Sequence, residues 1–139
     1  MILCATRGGE ESTITQNVAI QLAKETGELL ALLYVADSSF LDKTASALLV
    51  NVEKELSNMG EFLMSMAADK AERQGVKTTT VVRSGVLRDV LPMVVQELNA
   101  TTIVLGKPAG DRSRFNAHEL DQFVQHLNEV TGAKVILAG

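Results

Sequence analysis

The residues with most chemistry in this chain are cationic. Arg7, Arg83, Arg88, Lys107, Arg112 and Arg114 each follow closely on an apolar run, and they make up six of the 13 lysines and arginines of a chain whose net charge is −4. Small residues accompany them: Thr6 and Gly8 in "TRGG", Gly85 in "RSGVLRD", Gly106 and Gly110 in "GKPAGDRSRF". Glycine lets a ligand approach the backbone, a helix N-terminus favours an anion, and arginine offers a fork that matches phosphate. The chemistry this set could do is anion binding. The alternative is ordinary solvated loop cations.

Catalytic groups are not identified. There is no Gly-x-Ser-x-Gly elbow and no Gly-x-x-x-x-Gly-Lys-Ser/Thr loop. Glu10 and Glu11 open a helix, where carboxylates are favourable on electrostatic grounds alone. His118 and His126 lie eight residues apart on one expected helix, too far to share a metal. Cys4 is the single cysteine, so no internal disulfide forms. It sits in "MILCA" and reads as a buried small hydrophobe. No catalytic residue and no metal site is assigned.

The elements that must position the cations alternate. Apolar runs at 1–6, 28–37, 76–83, 101–106 and 133–139 read as strands. Helical spacing fills the gaps. Ile14, Val18 and Leu22 form the stripe of a first helix, capped by Ser12 or Thr13 and stopped by Gly27. Leu48, Val52, Leu56, Met59, Leu63 and Met66 mark the core side of a second, over about 42–74, with a kink foreseen at Asn58-Met59-Gly60 and a stop at Gly75. A third follows Ser84 as N-cap; Pro92 either kinks it or marks its true start near Leu91. The fourth, 116–130, turns Leu120, Phe123, Val124 and Leu127 to one side. Such alternation makes an α/β fold, a doubly wound five-stranded parallel sheet with helices on both faces. The 139 residues form a single domain, 1–139. Ligands of such sheets bind outside the carboxyl ends of the strands, where the cations gather. Asp37, after strand two, either meets a ribose hydroxyl or caps a turn.

Composition narrows the partners. The acidic balance argues against nucleic acid, and no run approaches the ~20 apolar residues of a bilayer span. No leader precedes the first strand, so a cytoplasmic location with no membrane insertion is the expectation.

Along its whole length the chain resembles the universal stress protein family. "ILCATRGGEES" resembles the opening strand and its Asp-Gly-Ser exit; in "LLALLYVAD", Tyr34-Val35 stand where the family has His-Val; "VVRSGVLRDVL" places Gly85 at the family's glycine; "ATTIVLGKPAG" is similar to the fourth strand and "AKVILAG" to the fifth. The resemblance implies strand order 3-2-1-4-5, the adenine nucleotide alpha hydrolase-like arrangement. It also implies a homodimer and two groups of members, one that binds ATP and one that does not. Binders carry Gly-x-x-Gly, nine residues, then Gly-Ser or Gly-Thr, with an aspartate ending strand one. This chain departs from both features: Arg7 stands at the aspartate, three residues separate Gly106 from Gly110, and no glycine follows until Gly132.

The expectation is a stress-response dimer with ATP binding weak or lost, joined through Val135, Ile136 and Leu137 of the fifth strand, an otherwise exposed apolar edge. Its cationic rim would take a small anionic ligand, and a protein partner of unknown identity completes the picture. The alternative is an ATP- or AMP-binding module with slow hydrolysis at most. It would use Thr6, Arg7, Gly8, the Val35 backbone, Gly85, Gly106, Lys107 and Gly110, with Arg112 and Arg114 on the phosphates.

Overall fold

The computed structural model of the chain describes residues 1–6, 10–36, 46–106 and 117–138. Strands β1 (Ile2–Ala5), β2 (Leu30–Ala36), β3 (Thr78–Ser84), β4 (Thr102–Gly106) and β5 (Lys134–Ala138) alternate with helices α1 (Glu10–Thr26), α2 (Ser46–Glu72), α3 (Leu87–Leu98) and α4 (Ala117–Thr131). The strands form one parallel sheet in the order β3-β2-β1-β4-β5. The fold class and strand order expected from the sequence are the ones observed.

Period-two alternation divides the core into two clusters, one on each face of the sheet. Ile2, Cys4, Leu30, Leu32, Ala36 and Val104 point to the face covered by α1 and α2. Leu3, Ala31, Leu33, Ile103 and Leu105 point to the other, among residues of α3 and α4. The central strands are buried on both sides, which is why they read as unbroken apolar runs. Both edge strands are less buried: β3 exposes Thr79 and Thr80, and β5 leaves Val135, Ile136 and Leu137 half-buried.

Left-handed residues end the helices as foreseen. Gly27 (φ 72°) donates its N–H to the Ala23 carbonyl at 2.8 Å, and Gly75 (φ 84°) closes the turn after α2. Asn99 (φ 52°) does the same for α3, where no glycine announced a stop.

Several local expectations give way. α1 begins at Glu10, so Ser12 and Thr13 lie inside it rather than capping it. Its buried side is Thr15, Gln16, Ala19, Ile20 and Ala23, while Ile14 is exposed; the stripe is turned by about one residue. α3 is capped by Val86, with no side-chain bond, because Ser84 is still the last residue of β3. The helix starts five residues before Pro92, so the proline does not mark its start. α2 is one element through Asn58-Met59-Gly60, and its buried residues are Gly60, Met64, Ala67 and Ala71. Met59 and Met66, expected in the core, are exposed. The small residues win the inner side because they let the helix lie close to the sheet: a side chain added at Gly60 would strike the Tyr34 ring.

Candidate functional site

Strand order fixes where a site can form. From β1 the chain builds outward through β2 and β3 on one side and then crosses to β4 and β5 on the other, so the switch point lies between β1 and β4. Their pairing runs from Ile2 opposite Thr102 to Cys4 opposite Val104. β4 continues beyond that point, paired with β5 as far as Gly106 opposite Ala138. Thr6 and Gly106 therefore mark the described ends of the chain at the switch point, on the carboxyl side of the sheet.

Buried polar side chains gather at that point. Thr6, Thr15 and Gln16 are the buried polar side chains among the described residues, and all three lie here. The Gln16 amide donates to Thr6 Oγ1 at 3.2 Å, and the Thr6 N–H donates to the Leu33 carbonyl at 2.9 Å. Gly106 lets α1 close over β4, since a Cβ there would lie 2.8 Å from Thr15 Oγ1. Polar groups in a core are retained only when hydrogen-bonded, so this trio carries a cost that pure packing would not require. Sequence reading named Thr6 and Gly106 but missed Thr15 and Gln16. The signal was present: polar residues at 15 and 16 break into the buried side of α1, one turn ahead of Ala19 and Ile20.

Val35 is half-buried in β2 opposite Arg83, with its side chain in the cluster of the α3 and α4 face. Gly85 follows β3 at φ 138°, and its N–H donates to the Ala36 carbonyl at 3.1 Å. That bond ties the exits of β2 and β3 together. Arg7, Gly8, Lys107, Gly110, Arg112, Arg114 and Asp37 lie outside the described residues.

Two members of the expected cationic rim have other work. Arg83 belongs to β3 rather than to a loop, and its guanidinium meets Glu97 at 3.3 Å. Arg88 stands in the first turn of α3 and meets Glu119 at 3.3 Å, joining α3 to α4. Exposed pairs of this kind contribute about 0–1 kcal/mol each, but they offset the charge an anion would meet.

Other candidates fall away. Burial pushes the Cys4 thiol up to about 12, which removes its thiolate at neutral pH. No group of three histidine, cysteine, aspartate or glutamate residues among those described could hold a metal ion. A groove of about 440 Å³ lined by Val124, Asn128, Gly132, Lys134 and Val135 sits at the amino end of β5, the wrong end of the sheet for a switch-point ligand. No helix among the described residues is long and apolar enough to cross a membrane.

A parallel 3-2-1-4-5 sheet with helices on both faces defines a doubly wound α/β domain. The model of the universal stress protein family matches residues 1–120. The chain belongs to that family. Solved structures share the fold. Universal stress protein UspA from Lactobacillus plantarum aligns at TM-score 0.79 and 15% identity, covering 99% of this chain and 96% of that one. A universal stress protein in complex with cAMP aligns at 0.70 and 18%, covering 99% and 95%. The universal stress protein from Archaeoglobus fulgidus in complex with dAMP aligns at 0.62 and 14%, covering 99% and 96%. Among curated proteins, none matches the chain.

Does an adenine nucleotide fit? Two described glycines have their N–H groups engaged: Gly85 donates to the Ala36 carbonyl and Gly132 to the Asn128 carbonyl. Gly106 admits Thr15, the Gly85 position abuts Val90, and Gly132 forms the turn that ends α4. A phosphate cradle needs backbone N–H groups left open to the ligand. The loop after β4, where such a cradle would fall, lies outside the described residues.

Proposed function

We propose that this chain is a regulatory universal stress protein that works by binding rather than by turnover. It is a cytoplasmic homodimer joined through the free edge of β5. Its switch-point site holds ATP weakly or not at all and accepts a smaller anion. The observation that carries this reading is the missing Gly-Ser/Thr element: after Gly110 no glycine follows until Gly132, and Gly132 is committed to the end of α4 at φ 72°. Arg7 in place of an adenine-side aspartate points the same way. The buried polar group of Thr6, Thr15 and Gln16 supports a ligand at the switch point, and Arg7, Lys107, Arg112 and Arg114, which follow β1 and β4 in the sequence, favour an anion.

A second reading has an observation of its own. Two structures that share the fold were determined with adenosine monophosphates, cAMP and dAMP. On that reading the site takes AMP, with Arg112 and Arg114 on the single phosphate. Calorimetric titration with ATP and AMP separates the readings. Weak or absent heat with ATP supports the first. Tight AMP binding that disappears in Arg112→Ala/Arg114→Ala supports the second. Tight ATP binding contradicts the first.

A further inference from the structure

We propose that α2 is a self-association surface that packs antiparallel against α2 of a second copy. The inference starts from residues that left the core. Phe62 is 65% exposed, Met66 57% and Met59 47%, all on the solvent side of one helix. Exposed apolar residues scattered singly need no explanation, but these three recur at intervals of three and four. Their row continues into charge at both ends. Glu55, Met59, Phe62, Met66, Asp69 and Arg73 follow a strict 4-3-4-3-4 spacing, the seam by which one helix packs along another. The inner margin of the seam is anchored, since Leu56 and Leu63 pack partly into the core.

Charge selects the occupant and its direction. Two copies related by a two-fold axis at the level of residue 64 place Glu55 opposite Arg73 and Phe62 opposite Met66. Each contact occurs twice, as a two-fold interface requires. Phe62 and Met66 of both copies form the apolar centre, an aromatic ring against a thioether being a favourable contact, while Met59 falls opposite Asp69 and marks where the apolar centre ends. Arg73 directly follows the last residue of α2, which puts it about 27 Å from the Glu55 level, so the opposed charges close both ends. Asp69 already meets Arg73 at 2.9 Å, which steadies the guanidinium for Glu55 of the second copy. A parallel pairing would set Glu55 against Glu55 and Asp69 against Asp69. The charges at the ends of the seam therefore favour the antiparallel sense. A contact confined to one helix per copy falls below about 1,200 Å², so the association is weak and depends on concentration. It uses a different surface from β5 and holds whether or not β5 also joins two chains.

The test is sedimentation equilibrium of the full chain across a wide concentration range at low salt, with circular dichroism as the check on folding. The wild type should gain mass reversibly as concentration rises. Phe62→Glu changes an exposed side chain, so it should stay folded and lose that gain. Glu55→Arg and Arg73→Glu should each weaken association about fivefold, through two like-charge contacts, and Glu55→Arg/Arg73→Glu should restore it. The proposal is overturned if Phe62→Glu associates as the wild type does, or if the double variant is weaker than either single one.

Discussion

Gly60→Ala tests how α2 is seated on the sheet. A Cβ at position 60 would lie 2.8 Å from Tyr34 Cε1 and 2.9 Å from Cγ. Real Cβ atoms do not approach so closely, so something must move. The ring is 7% exposed and packed among the residues of its face, which leaves it little room to swing away. Two effects oppose one another. Alanine in a helix interior is worth about 1 kcal/mol over glycine. Overpacking a filled core costs about 1–3 kcal/mol. The clash involves several atoms of one rigid ring rather than the end of a flexible chain, so the cost takes the upper part of its range. The net effect is a loss of about 1–2 kcal/mol, which lowers Tm by roughly 3–8 °C for a domain of this size. Urea denaturation measures it. Tyr34→Leu removes the ring, and in that background Gly60→Ala should become neutral or stabilising. If Gly60→Ala stabilises the otherwise unaltered protein by about 1 kcal/mol, as at an open helix position, the close seating of α2 is refuted.

Gly85→Ala should cost about 1–3 kcal/mol, because φ 138° strains any side chain and its Cβ would lie 2.9 Å from Val90 Cγ2; thermal unfolding reads this, and an unchanged Tm would count against the conformation of the β3 exit. Glu28 is held below its ordinary 4.5 chiefly by the hydrogen bond it accepts from the Met1 ammonium at 3.1 Å, with charge attraction and bonds to Thr26 and Thr101 adding and desolvation opposing. A carboxylate depressed in the folded state contributes stability above its unfolded pKa and loses it as pH falls through the folded value. Glu28→Gln should therefore be less stable than the wild type at pH 7, and that gap should close in acid; a gap independent of pH would exclude the ion pair as its source. Ile136→Glu should convert the proposed β5 dimer to a monomer in light scattering, with circular dichroism confirming the fold; an unchanged mass would rule out this edge as the interface.

The fold was legible because its signal is coarse. Five short apolar or β-branched runs separated by amphipathic segments read as strands, and "LALLYVA" announces burial on both sides. What failed was the rotation of α1 and α2. Periodicity of large apolar residues pointed to Ile14, Met59 and Met66, yet the sheet took the small residues Ala19, Ala23, Gly60, Ala67 and Ala71. Close helix–sheet approach is a tertiary demand, and a count of hydrophobes does not register it. The same blindness hid Thr15 and Gln16, which belong to the switch point because α1 passes over the ends of β1 and β4. Cation counting overstated the rim, since Glu97 and Glu119, far off in sequence, come to meet Arg83 and Arg88.

Native mass spectrometry of the freshly purified chain, with and without added ATP and AMP, tests the central claim most directly, since one spectrum reports subunit count and bound ligand together. The expected spectrum is that of a dimer whose mass added ATP leaves unchanged. A dimer that carries stoichiometric ATP would contradict it and restore the phosphate cradle that the spacing of Gly106, Gly110 and Gly132 argues against.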